Sequence, residues 1–166
     1  MGGGYGGSLS SGDIDILQNK VKKRLQDLDP ATSRHVFISF SSEDLDEVNL
    51  LRGQAKSENT DLEFDDYSLK EAINSERAEY IKQVIREKID KSSVTIVYLS
   101  ENSADSEWVN WEINESINRN KGVIGIYSGD SVPSKLPPSF QENKCKIINW
   151  GHEALMSEID DANRNR

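Results

Sequence analysis

Apolar positions along this chain switch between two spacings, one helical and one that of a buried strand, and the alternation dictates an architecture. Ile14, Leu17, Val21, Leu25 and Leu28 recur at helical intervals behind Asp13, a suitable N-cap, and Pro30 stops the run. Lys20, Lys22, Lys23 and Arg24 lie on or near the polar side of that helix. At "RHVFISFSSED" the pattern changes: residues 35–40 are apolar, β-branched or aromatic and end at Ser41 and Ser42, as in a strand covered on both faces. Ser41 and Asp44 approximate a capping box, after which Leu45, Val48, Leu51 and Ala55 mark a helix. "DLEFDD" at 61–66 is a weaker second strand, and "YSLKEAINS" after it has no clear period. Tyr80, Ile81, Val84, Ile85 and Ile89 mark another amphipathic helix, and "SVTIVYLS" at 93–100 is the strongest strand signal. Residues 106–119 supply a further helix and "GVIGIY" a fourth strand. The Pro-containing "SVPSKLPPSF" reads as a loop, "CKIINW" as a fifth strand and residues 152–163 as a final helix.

Strands separated by helices imply right-handed crossovers and a parallel sheet covered on both faces. Five of them predict a flavodoxin-like α/β fold of three layers, strand order 2-1-3-4-5, preceded by an extra N-terminal helix. Ligands of such sheets bind beyond the carboxyl ends of the strands near the switch between the first and third. The loops to inspect are therefore 39–44, 65–75 and 100–108.

Length refines this picture: 166 residues suit one ordinary domain plus an appendage. "MGGGYGGSLSSG" is too rich in Gly and Ser to fix a backbone cheaply, so residues 1–12 read as a flexible tail, 13–29 as the helix and 34–163 as the domain. The N-terminal helix either packs on the domain or serves self-association. A net charge of -9 repels nucleic acid and anionic membrane surfaces, and neither is expected as a partner. There is no apolar run of about 18 residues and no secretory-signal pattern at the start, so a cytoplasmic protein is expected. Cys145 stands alone, and with His35 and His152 as the only imidazoles no metal site is expected.

The segment "SEWVNWEINESINRN" holds the candidate chemistry. At roughly 100° per residue, Val109, Ile113 and Ile117 form the buried stripe, with Trp108, Glu112, Glu115 and Arg119 along its flank. Trp108 and Glu112 are neighbours one turn apart, near the rim of the crevice. A carboxylate there is partly desolvated and has an aromatic ring beside it on which a base or pyridine can stack. A glutamate on an amphipathic helix is more often a solvated polar residue, so the helix alone leaves both roles open. Trp111 points nearly opposite the stripe, where a large aromatic is either incidental or an interface anchor.

"VFISFSSED", "SVTIVYLSENSADSEWVNWEI" and "KGVIGIY" together resemble the TIR-like domains of the bacterial Thoeris antiphage type and the related archaeal family, over roughly residues 34–150. The W-x-x-x-E element in its strand-loop-helix setting is the most specific part. The resemblance implies that Glu112 is the catalytic residue with Trp108 as its aromatic partner. It implies cleavage of the nicotinamide–ribose bond of NAD, which is substrate and not cofactor, giving a linear or cyclic ADP-ribose signal for a downstream effector in antiviral defence. It also implies self-association through the domain or the N-terminal helix. Asp65, Asp66, Tyr67 and Ser68 match the region where such domains carry a mobile loop that gates the site or forms the assembly contact. From the crevice rule, Ser39 and Phe40 are placed to meet a base or ribose, although Phe40 also suits a core. Ser100 and Ser103 are placed to donate to a phosphate or ribose, or else to cap the helix.

Other users of this fold fit less well. A receiver domain needs an aspartate where the third strand ends in Tyr98, Leu99 and Ser100, and no Gly-rich phosphate fingerprint follows the first strand. A nucleoside deoxyribosyltransferase is a minor alternative, and the serious rival is a catalytically silent TIR-like interaction module.

Overall fold

The structure, a computed structural model, describes residues 10–27, 34–57, 62–67 and 72–164. It divides into two units, Met1–Ser33 and Arg34–Arg166, each described by itself. In the first, α1 (Ser11–Asp27) starts at a reciprocal cap. Ser10 Oγ accepts from the Asp13 amide at 3.2 Å, and the Asp13 carboxylate accepts from the Ser10 amide at 3.3 Å. Ser10 is thus the N-cap, and Asp13 the acidic third residue of a capping box.

The second unit is a five-stranded parallel sheet in the order β2-β1-β3-β4-β5, formed by β1 (Arg34–Ser39), β2 (Leu62–Asp65), β3 (Val94–Tyr98), β4 (Gly122–Tyr127) and β5 (Lys146–Asn149). The connecting helices are α2 (Leu45–Ser57), α3 (Ala78–Lys91), α4 (Glu107–Asn118), α5 (Pro138–Glu142) and α6 (His152–Arg164). This is the flavodoxin-like α/β arrangement expected from the spacing of apolar residues. Because the chain steps outward to β2 and then returns across β1, α2 and α6 cover one face of the sheet while α3, α4 and α5 cover the other.

Strand side chains alternate between these faces. Val36, Ile38, Phe40, Ile96, Tyr98 and Ile126 cluster with Val48 and Leu51 of α2 and Leu155 and Ile159 of α6. Phe37 joins Ile81, Ile85 and Ile89 of α3 and Trp108 of α4, whereas Val97 and Leu99 join Val109, Ile113 and Phe140. α5 lies where a loop was expected. Its one turn starts at Pro138, a residue suited to the first helical position, and its anchor is Phe140, buried against α4. Gly125 leaves the space for that anchor, since a Cβ there would meet Phe140 Cζ at 2.5 Å. Just past α4, Asn120 with a φ of 60° closes the helix end while the Lys121 amide bonds back to the Ser116 carbonyl at 2.9 Å.

Candidate functional site

The helix that carries Glu112 starts at Ser106, whose hydroxyl accepts from the Val109 amide at 3.2 Å. Neither Ser100 nor Ser103 caps it. The Ser103 hydroxyl is spent on its own loop, accepting from the Ser100 amide at 3.0 Å and donating to the Ser100 carbonyl at 2.9 Å. Ser103 is therefore a buried turn-former, not a group turned toward a ligand.

The buried face of α4 is rotated from the stripe expected. Trp108, Glu112 and Ser116, one turn apart, are buried along with Val109 and Ile113, and Glu112 is 0% exposed. The depth of Glu112 follows from a polar contact below it. Ser116 Oγ donates to the Glu112 carbonyl at 2.8 Å and lies 2.8 Å from Thr95 Oγ1 on β3, which sets Ser116 level with Thr95. α4 runs back along the sheet, so moving from Ser116 to Glu112 climbs about 6 Å toward the strand tips. Two residues up β3 climb about 6.6 Å, to Val97. Val97 is the register partner of Ser39, and Ser39 shares a face with Phe37. Glu112 and Ser39 therefore come to one level between α4 and β1, with Trp108 a turn nearer the tips. Ser39 is fully buried, and its hydroxyl has no hydrogen-bond partner among the described residues.

Tyr67 packs against the same cluster as Trp108. Trp111 does so too, which corrects its expected direction. It sits edge-on to Trp108, with ring centroids 5.7 Å apart and planes at 86°, and Lys82 Nζ and Arg86 Cζ lie 5.6 and 5.5 Å from its centroid. The greasy ring is thus half-buried between α3 and α4, with cations on its π-surface. Around it Glu115 accepts from Arg86 at 3.0 Å and Arg119 at 3.1 Å, and Arg119 reaches Asp90 at 2.5 Å. The Asp90 carboxylate holds the Arg119 guanidinium above its ordinary range.

Besides Ser103, two expected site residues are not brought there. Phe40 belongs to the cluster on the opposite face of the sheet, as the period-two alternation from Phe37 and Ser39 requires. Asp65 pairs in register with Phe37, short of the Ser39 level, and its carboxylate accepts from Lys88 of α3 at 2.6 Å, with His35 Nε2 at 3.9 Å. It is tied into an edge-strand ion pair. Asp66 pairs with Arg52, whose pKa burial lowers, and Ser68 lies outside the described residues.

The crevice above the sheet carries a residue that sequence reasoning placed only in a cap. Asp44, 2% exposed, accepts from Ser100 Oγ at 2.5 Å and Asn102 Nδ2 at 2.9 Å, so it ties the loop after β1 to the loop after β3. Ser41 makes no side-chain cap. Beside this clasp a cavity of about 560 Å³ is lined by Glu43, Glu47, Tyr98, Glu101 and Ser128 among others. Burial pushes the Tyr98 phenol up, and the hydroxyl lies 3.0 Å from Ser128 Oγ. Three glutamates give the wall of this cavity a negative potential. No helix of the described residues is long and apolar enough to cross a membrane.

Residues 37–132, which run from the second half of β1 past β4 and include the Trp108–Glu112 pair, match the family described as Thoeris protein ThsB, TIR-like domain. The chain belongs to this TIR-like family. No curated protein matches it in sequence. Among solved structures it is similar to the TIR domains of the activated Roq1 resistosome directly recognizing the pathogen effector XopQ, at 23% identity and a TM-score of 0.43, over 79% of this chain and 72% of that one. It is also similar to the CMP N-glycosidase BcmB of Clostridium botulinum, at 12% identity and a TM-score of 0.45, over 76% of this chain and 98% of that one. A third is a 3-dehydroquinate dehydratase-like protein from Bifidobacterium longum, at 14% identity and a TM-score of 0.41, over 80% and 98% of the two chains. Within the matched TIR-like stretch lie Ser39, Tyr67, Trp108, Trp111 and Glu112; α1 and α6 lie outside it.

Proposed function

We propose that this TIR-like chain cleaves the bond between nicotinamide and ribose in NAD and turns the ADP-ribose into a nucleotide signal, linear or cyclic, for an effector in antiphage defence. One observation supports the chemistry above all: the glutamate of the W-x-x-x-E element is fully buried, level with the Ser39 hydroxyl, which has no hydrogen-bond partner among the described residues. The leaving group already carries the charge that departure needs. When the C–N bond breaks, its electron pair neutralises the pyridinium, and positive charge appears on the ribose carbon. A carboxylate fixed in a desolvated site stabilises that cation far more than water does, as in glycoside hydrolysis. Glu112 takes this role. Ser39 donates to a ribose hydroxyl, and Trp108 and Tyr67 enclose the nicotinamide. Water then adds to the carbon and loses a proton to give ADP-ribose, or a nucleophile at the adenine end of the same molecule adds to give a ring. Exclusion of water decides between the two.

A catalytically silent interaction module is the second reading. It is favoured by the lack of any exposed surface on Glu112, which a substrate must reach. Incubating the full chain with NAD, followed by chromatography for nicotinamide and for linear and cyclic ADP-ribose, separates the two. Cleavage that disappears in Glu112→Gln supports the enzyme. Nicotinamide release that survives this change rejects the site, and none from the wild type at any protein concentration supports the module. The concentration series matters because the reading includes self-association, which can complete a site between copies.

A further inference from the structure

Between β3 and α4, Thr95 and Ser116, both 0% exposed, meet at 2.8 Å beside the apolar Val97, Val109 and Ile113. A serine hydroxyl has one proton. The Ser116 proton goes to the Glu112 carbonyl at 2.8 Å, so the proton between the two hydroxyls comes from Thr95. The relay thus runs from β3 to the peptide of the proposed catalytic glutamate in two hydrogen bonds. Apolar side chains of similar shape would fill this interface at no loss of stability, because two matched hydroxyls gain little over two methyls. What the pair adds is position. An apolar helix face can slide or turn on a strand with small changes in energy, whereas a helix held by a directional bond cannot leave its register without stranding two buried hydroxyls.

We propose that Thr95 and Ser116 are positioning residues, a hydroxyl relay that fixes α4 on β3 so that Glu112 stands level with Ser39. This rests on the functional reading above and goes beyond it, since neither hydroxyl touches substrate. Removal of the relay leaves substrate contacts in place and lets the carboxylate drift from the ribose carbon, which lowers kcat and spares KM.

The test is steady-state NAD cleavage by the full chain as wild type, Thr95→Val, Thr95→Ser and Ser116→Ala, each with a thermal melt. Thr95→Val is expected to lower kcat about tenfold, with KM within about twofold of wild type, and Thr95→Ser to recover most of the loss. Equal kcat in Thr95→Val and Thr95→Ser overturns the relay while leaving the functional reading intact. So does a Thr95→Val loss that only follows the melted fraction. If Thr95→Val does not fold, Ser116→Ala cuts the same link with a better helix former, and wild-type kcat in that variant overturns the relay. A folded wild type that releases no nicotinamide overturns the functional reading, and the positioning role falls with it.

Discussion

The two faces of the sheet are built from the same strands and differ in what they bury. Under α2 and α6, the strands present Val36, Ile38, Val94, Ile96, Ile124 and Ile126, with the Tyr98 hydroxyl at the tip meeting Ser128. Under α3, α4 and α5, the same strands present Phe37 and Val97 but also Ser39 and Thr95, and α4 answers with Glu112 and Ser116. Burying hydroxyls and a carboxylate costs free energy that an apolar face avoids. Both faces pack apolar clusters, and the second gives up some stability to bury the groups proposed for chemistry. The division follows from topology: the crossovers from β2 to β3 and from β3 to β4 put α3 and α4 side by side on one face, so the groove between them and the switch point share that side.

The contrast can be broken most forcefully from the apolar face. Ile96→Ala removes a fully buried side chain from the cluster under α2 and α6, and is expected to cost about 3 kcal/mol of stability. NAD cleavage per folded molecule should be unchanged, as denaturation curves alongside initial rates will show. A specific rate that falls with stability would mean that the faces are not separable. Gly125→Ala probes packing on the other face, where a new Cβ meets Phe140 and Leu99 at 2.5 and 2.7 Å. The expected loss in urea unfolding is about 2 kcal/mol.

Ser39→Ala carries the opposite sign. Removing a buried hydroxyl that has no hydrogen-bond partner among the described residues should raise stability by about 1 kcal/mol. Loss of one hydrogen bond to ribose should raise KM about fivefold. A destabilised Ser39→Ala would show that the hydroxyl serves the fold. The smallest effect belongs to the charged clasp on the outside of α3 and α4. Arg119→Ala should cost less than about 1 kcal/mol, and the loss should shrink in high salt, because the pair with Asp90 is largely solvated.

Most of the fold was legible because apolar residues change period wherever the chain changes element. β3 is five buried residues in a row, and Ile81, Ile85 and Ile89 repeat at helical steps. α5 escaped notice because one turn is too short to show a period and its prolines read as loop. Asp44 looked like a cap because sequence spacing reports local partners, whereas its partners Ser100 and Asn102 are distant in the chain. The same limit applied to α4. Projection of its own residues points to a stripe through Val109, Ile113 and Ile117, whereas contacts with distant residues, Thr95 with Ser116 and Phe37 with Trp108, go with Glu112 and Ser116 facing inward. A second signal was present: Ser116 follows Glu112 by one turn, and Thr95 interrupts an otherwise apolar buried strand. Phe40 and Asp65 were misplaced because closeness to a strand end says nothing about which face or which level a side chain occupies.

The central claim is that the Glu112 carboxylate stabilises a ribose cation, and the ratio of kcat for wild type to Glu112→Gln at saturating NAD tests it most directly. Gln keeps the shape and removes the charge, so the account predicts a fall of about a hundredfold or more with little change in KM or melting temperature. A ratio below about ten, in a folded variant that still releases nicotinamide, would contradict it.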